Sequence, residues 1–429
     1  MSAPATAKLP FTRLGRYEVR ALLAEGGMAG VYLGRSAEEG REVVALKVIR
    51  REYSRDLQFV AMFLDEAKLA SRLNHPNIVK IYEQANEGGH LFIAMELLFG
   101  QSLASVWEKT QHAKRKLPFE IAAWIGARVA DALHHAHELR DDTGVAQEVV
   151  HRDINPSNIF VTYGGQVKII DFGLAKAVDR LTITVAGVVK GKLAYMSPEQ
   201  VSGAGVDRRA DIFSLGTTLW ELTCDRRLFK CEREVDTMQR VMAADVPRPS
   251  SIVPGYPAEL ERIVLRALTK DRDARYPTAA ELCRDLDAFV GAGGRIVTPG
   301  TLLDLMTTLF PAERDRDAKW YEETGTLPMQ TVPLAPIQLA AEDLETVYGE
   351  TSAIEPRPSA ADGTAPTMLA AATPQPPPGR AAETSLAGTI AGVPSGPLSL
   401  LTAGELAAFG ALGMLVIVAV IVAIVSLSK

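Results

Sequence analysis

Cysteine is scarce in this chain. Of 429 residues only Cys224, Cys231 and Cys283 carry a thiol. They have neither metal-ligand spacing nor an even-numbered pattern, which excludes a disulfide-stapled fold and a cysteine metal site. They read as the reduced thiols of a cytosolic domain. A strong charge of one sign is also missing. The formal net charge of −6 argues against a nucleic-acid binder. Met1 to Pro10 is rich in alanine and proline and lacks the apolar core of a secretory signal. No internal repeat is visible. The long uncharged apolar run lies at the other end, from Leu406 to Leu427, broken only by Ser426. About 20 such residues match one helical crossing of a bilayer. A buried core helix is the other reading, and the position behind a linker-like stretch weighs against it.

What is present suits a sizeable core, since 47% of the residues are apolar. The length allows two or three domains. Residues 1–16 read as a tail and 17–290 as one mixed, globular unit. Residues 291–324 read as a helical extension. Within it Thr298 is a plausible N-cap and Pro299 suits the first helical position, and Leu302, Leu305, Met306, Leu309 and Phe310 follow at helical spacing. Residues 325–404 are rich in Pro, Ala, Thr, Gly and Ser. They cannot bury enough apolar surface to offset their ordering entropy, and so read as a disordered tether. The threonines in and beside it, among them Thr324, Thr326, Thr331, Thr346 and Thr373, fit either linker composition or phosphoacceptor sites. Residues 405–428 read as a single transmembrane helix.

Two short segments carry chemistry. His151-Arg152-Asp153-Ile154-Asn155-Pro156-Ser157-Asn158 is followed closely by Asp171-Phe172-Gly173. Asp153 suits the orientation of a hydroxyl nucleophile. Asn158 and Asp171 supply the oxygens that hold magnesium against phosphates. At these residues the chain resembles the protein kinase family, whose H-R-D…N and D-F-G motifs they match. The resemblance covers about residues 17–290. It implies an α+β, bilobal protein kinase-like fold, with a small β-rich N-lobe and a larger helical C-lobe. It also implies ATP and Mg2+ as cofactors, with Asp153 as catalytic base.

Further motifs follow in family order. Leu23-Ala24-Glu25-Gly26-Gly27-Met28-Ala29-Gly30-Val31 occupies the place of the glycine-rich hairpin that covers the phosphates. The match is imperfect, because Ala24 and Ala29 replace the first and third glycines. Val31 sits where the family packs adenine. Val44-Ala45-Leu46-Lys47 resembles V-A-I-K, which makes Lys47 the contact to the α- and β-phosphates and Ala45 part of the nucleotide site. A charged Lys47 needs a partner. Glu66 suits it, on a helix running from Ser54 to Leu73, ahead of Asp65. By resemblance, Met95 is the gatekeeper, and the backbones of Glu96 and Leu98 bond adenine. A helix from Pro118 to Leu139 carries His134, His135 and His137; His134 and His137 could share a face as metal ligands, but no third ligand is apparent. Arg152 is expected to pair with a phosphorylated activation loop, in which Thr182 and Thr184 are candidate sites. Glu199 with Arg275 reads as a buried ion pair, and Asp211 as the holder of the catalytic loop's backbone.

Two positions depart from the family pattern. Asn155 stands where serine/threonine kinases usually have lysine, and Lys192 where they usually have threonine after glycine. In the family fold these positions are neighbours. Either the cation has moved from 155 to Lys192, or the site is degraded. The expected activity is transfer of the γ-phosphate of ATP to serine or threonine of protein substrates. The alternatives are a pseudokinase and a scaffold that docks partners on phosphothreonines. The Met28 loop and Tyr195-Met196-Ser197-Pro198-Glu199-Gln200 resemble bacterial kinases of the eukaryotic type. The expected location is the bacterial inner membrane, single-pass, with the kinase domain cytoplasmic and no external sensor domain. A homodimer is a further expectation, with Gly410 and Gly413 allowing close helix packing.

Overall fold

The computed structural model describes residues 9–27, 29–36, 43–54, 57–172, 192–293 and 296–323. Met28, Gly173, Thr182, Thr184, Gly191, the tether at 325–404 and the apolar run at 405–428 lie outside the described residues. So do the side chains of Asp65 and Glu66. Among the described residues no helix is long and apolar enough to cross a membrane.

The first half is a six-stranded antiparallel sheet in the order β1-β2-β3-β4-β6-β5. Its strands are β1 (Arg13–Leu14), β2 (Tyr17–Glu25), β3 (Ala29–Ser36), β4 (Val43–Ile49), β5 (Ile81–Glu87) and β6 (His90–Glu96). Strand side chains alternate between faces. Val44, Leu46 and Val48 therefore join Phe92 and Ala94 in one buried cluster with Tyr17 and Val19. The opposite face buries Ile49, Leu91 and Ile93 against Val60, Phe63 and Ala67 of helix α1 (Leu57–Ser71). The predicted helix from Ser54 to Leu73 is thus present, shortened by a few residues at each end.

The second half is mostly helical. A three-stranded sheet, β7 (Gly100–Ser102), β8 (Ile159–Thr162) and β9 (Val167–Ile169), lies at its start. Helices α2 (Leu103–His112) and α3 (Phe119–His137) precede β8 in the chain. They are followed by α4 (Pro198–Ser202), α5 (Arg209–Cys224), α6 (Glu234–Ala243), α7 (Ala258–Ala267) and α8 (Ala279–Ala292). Every residue of α5 from Ala210 to Cys224 is buried, as a helix surrounded by others must be. Two glycines permit the close approach. A Cβ at Gly126 of α3 would lie 2.8 Å from Leu219, and one at Gly216 of α5 would lie 2.9 Å from the Ala267 Cβ.

The extension forms α9 (Pro299–Leu309), with Thr298 at the N-cap and Pro299 in the first turn as the sequence suggested; the Thr298 N–H also donates to the Thr301 hydroxyl at 3.2 Å. It also forms a second helix that sequence periodicity did not indicate, α10 (Pro311–Glu323). Pro299 ends up against the β8–β9 turn, where Gly165 has φ +81° and a Cβ would lie 1.9 Å from the Pro299 carbonyl. The extension is therefore fitted to the second half of the fold.

Candidate active site

The loop between α3 and β8 is held by a buried carboxylate. Asp211, in the first turn of α5, accepts the backbone N–H groups of His151 at 2.8 Å and Arg152 at 2.7 Å. His137 Nε2 lies 2.8 Å from the same carboxylate. The histidine run is thus resolved in part: His137 anchors Asp211. From the other side Gln200 Nε2 donates to the Arg152 carbonyl at 2.9 Å. These bonds sustain a left-handed backbone at Arg152, φ 66°, a conformation costly for a residue with a Cβ. Asp171, at φ 64°, is a second such residue.

This frame presents Asp153. Asn155 Nδ2 donates to one carboxylate oxygen at 3.0 Å, and Asn158 Nδ2 donates to the other at 2.9 Å. Both amides also reach the Asp153 carbonyl, at 3.0 and 2.8 Å. Lys192 Nζ then lies 2.5 Å from Asp153 Oδ2. The two positions that depart from the family pattern, Asn155 and Lys192, therefore meet on one carboxylate. Three donors fix its orientation, which is the preorganisation a proton-accepting group needs.

Lys47 and Asp171 form the second pair, 2.6 Å apart. The cross-strand register explains how Lys47 reaches it. Ala24 pairs with Val31, Val31 with Lys47, Lys47 with Ile93 and Ala45 with Met95. Residues opposite one another share a face, so Ala24, Val31, Ala45, Lys47 and Met95 line one side of the sheet. Behind the pair, Ile78, Ile81, Ile93, Met95 and Phe172 wall a small cavity and exclude water from one side of it. Burial pushes the Asp171 carboxyl up, but attraction to Lys47, a hydrogen bond from it, and the Lys192 and His151 charges outweigh that and leave it below the usual range. Lys192 thus acts electrostatically on both carboxylates. The Ile170 N–H donates to the Asn158 carbonyl at 3.0 Å, which sets the two candidate magnesium ligands, Asn158 and Asp171, on adjacent strands of backbone. The Glu66 side chain, expected on Lys47, lies outside the described residues.

Other residues of the site were not read from the sequence. Arg50 donates to the Gly26 carbonyl at 2.9 Å and to Glu25 at 3.1 Å, pinning the tip of the β2–β3 hairpin. Lys168 pairs with Glu96 at 2.8 Å. Gln200 closes a capping box with Ser197, a Ser-x-x-Gln pattern that is legible in sequence. A Cβ at Gly27 would meet no described atom within 4 Å, so the tip of the hairpin has open space beside its backbone. Oxygen donors at Asn158 and Asp171 suit magnesium, and Lys47 suits phosphate oxygens.

The acid limb of stability follows from these carboxylates. Burial pushes the Asp211 carboxyl up, but the His137 bond and the His151 donor win, so Asp211, like Asp171, sits low. A carboxyl with a depressed folded-state pKa contributes stability that is complete above its unfolded value, about 4. That contribution is lost as pH falls through the folded value. Tm should be flat near neutrality and fall below about pH 4. Asp211→Asn should lower Tm at pH 7 and flatten the acid fall. Thermal melts across pH check this, and a wild-type acid limb in that variant would contradict it.

The protein kinase domain model matches residues 17–286. The chain belongs to the protein kinase family. It is 40% identical over 278 residues to the tyrosine-protein kinase MasK of Myxococcus xanthus, covering 64% of this chain and 43% of that one. It is 36% identical over 272 residues to the serine/threonine-protein kinase PrkC of Bacillus subtilis, covering 63% and 40%. The match thus spans less than half the length of these two relatives. The crystal structure of the Mycobacterium tuberculosis PknI kinase domain superposes with a TM-score of 0.52 at 25% identity. It covers 66% of this chain and 99% of that domain. The bilobal fold, with its β-rich N-lobe and helical C-lobe, is that of the family.

Proposed function

We propose that the protein is an ATP-dependent protein kinase that phosphorylates serine or threonine hydroxyls. The observation that carries this is the Asp153 carboxylate, held by Asn155, Asn158 and Lys192 at 2.5 to 3.0 Å, beside the Lys47–Asp171 pair. In this reading Asp153 orients the acceptor hydroxyl and takes its proton. Lys47 grips the α- and β-phosphates, and Lys192 faces the charge that develops on the transferred group. Asn158 and Asp171 would hold magnesium, which neutralises phosphate charge when bound. Val31, Ala45 and Met95 would pack adenine, and the Glu96 and Leu98 backbones would bond it. The pseudokinase reading fares worse, because a cation accompanies the altered position 155.

A second reading concerns the acceptor alone. MasK is named a tyrosine-protein kinase, while PrkC and the PknL proteins are named serine/threonine-protein kinases. Phosphoamino-acid analysis after autophosphorylation separates the two. Phosphoserine or phosphothreonine is expected, and phosphotyrosine alone would overturn the primary reading. The same material, mapped by site, tests whether tether threonines such as Thr331 and Thr373 become docking sites.

We also propose that the run Leu406 to Leu427 anchors the chain in the inner membrane with the kinase domain cytoplasmic. Its length and lack of charge support this. Truncation before residue 405 should move the protein from the membrane fraction to the supernatant. Full-length protein already in the supernatant would count against the anchor.

A further inference from the structure

Helix α10 lies beyond the span that the family model matches, 17–286. Its sequence is mostly charged, so no apolar stripe holds it. Three of its contacts to the rest of the fold fall on every fourth residue instead. Glu313 accepts from Lys109 Nζ at 2.7 Å, Asp317 accepts from the Tyr163 hydroxyl at 3.1 Å, and the Tyr321 ring lies 3.8 Å from the Phe99 ring, centroid to centroid. A spacing of four places all three on one helix face.

Two of those contacts converge on one short segment. Phe99 directly follows Leu98, and its carbonyl accepts from the Tyr163 N–H at 2.8 Å. The Gln101 amide donates to the Tyr163 hydroxyl at 2.7 Å, beside the bond to Asp317. Residues 99–101 are thus tied to α10 through an aromatic contact and a shared hydroxyl. At the other end of the segment Glu96 is gripped by Lys168. Tyr321 is only 6% exposed on a helix whose other described side chains are mostly solvated, which marks it as the anchor of the contact.

We propose that α10 is a hinge latch and that Tyr321 is a positioning residue for nucleotide binding. It acts through Phe99 on the 96–98 backbone, with Asp317 acting through Tyr163. This rests on the reading of Glu96 and Leu98 as the adenine contacts. Recognition by backbone groups requires their direction to be fixed before binding. A segment free to move loses part of the binding energy to ordering. The extension is therefore a nucleotide-affinity element, placed where the chain enters its Pro/Ala/Thr-rich stretch.

The test uses the full chain with magnesium and ADP as the binding probe, beside steady-state kinetics and amide hydrogen exchange. Tyr321→Ala should raise the ADP Kd and the KM for ATP about three- to tenfold, the range expected for loss of one aromatic contact. At saturating ATP kcat should stay within about twofold. Exchange should quicken at amides 97–102. Tyr321→Phe should retain wild-type values, because the ring contact survives. Wild-type affinity and exchange in Tyr321→Ala would overturn the latch. If that variant fails to fold, Asp317→Ala with Glu313→Ala, which removes both acceptors, reads the same quantities, and unchanged values there would overturn it equally. A wild-type chain that binds no ADP would sink the adenine reading and the latch together. Equal binding by wild type and Tyr321→Ala would sink the latch alone.

Discussion

Lys192→Thr should lower kcat by about 10²- to 10³-fold, the usual cost of removing one charge-stabilising group, and leave ADP affinity near wild type. Phosphoryl transfer depends on positioning and electrostatics more than on covalent chemistry by the protein. A site without a cation near the transferred group should therefore be slow. Lys192 Nζ and Asn155 Nδ2 approach opposite oxygens of Asp153, at 2.5 and 3.0 Å. A lysine at either position would place its ammonium beside the same carboxylate. The decisive variant is consequently a pair. Asn155→Lys, added to Lys192→Thr, should restore kcat to within about tenfold of wild type. Undiminished turnover in Lys192→Thr alone would show that the charge is not used there. A slow single variant that the second change fails to rescue would show that Lys192 does more than carry a charge.

Arg275→Met should destabilise the kinase domain by about 3–5 kcal/mol, the cost of stranding one member of a buried ion pair. Arg275 is fully buried, and its guanidinium reaches both oxygens of Glu199, at 2.6 and 2.9 Å. It also donates to the carbonyls of Thr269 at 2.7 Å, Lys270 at 3.0 Å and Arg209 at 3.2 Å. It therefore joins α4, α5 and the segment after α7. Lysine cannot reproduce that fork, so Arg275→Lys should be nearly as damaging. Replacing Glu199 as well, with leucine, removes the stranded carboxylate and should recover part of the loss. Differential scanning calorimetry checks the series. A single variant within about 1 kcal/mol of wild type would contradict it.

Much of this was legible from residue patterns, for identifiable reasons. The alternation in Val44-Ala45-Leu46-Lys47 fixes which side chains face the core, and so which face Lys47 takes. The order of Lys47, Asp153, Asn158, Asp171 and Glu199 along the chain matched one family, which supplied the fold. Asp211 and the Glu199–Arg275 pair behaved as expected, because a buried charge must find a partner. Other features were not legible. The ion pair between Lys47 and Asp171 forms through a left-handed turn at Asp171 that no local pattern announces. His137 looked like one of three equivalent histidines, and only the packing of α3 on α5 singles it out. The contact face of α10 is polar and aromatic, so a search for apolar periodicity passes over it. Arg50 acts across a hairpin whose register is decided by two irregularities, between Val19 and Ala21 and between Leu22 and Ala24.

The most direct measurement is transfer of label from γ-labelled ATP to protein by the purified full chain with magnesium, run beside Asp153→Asn. Label should accumulate on wild-type protein, withstand denaturing electrophoresis, and yield phosphoserine or phosphothreonine. The Asp153→Asn protein should bind ADP normally and transfer at least 10²-fold more slowly. No transfer by folded, ADP-binding wild-type protein, or equal transfer by both, would contradict the assignment of Asp153 and its neighbours as a phosphoryl-transfer site.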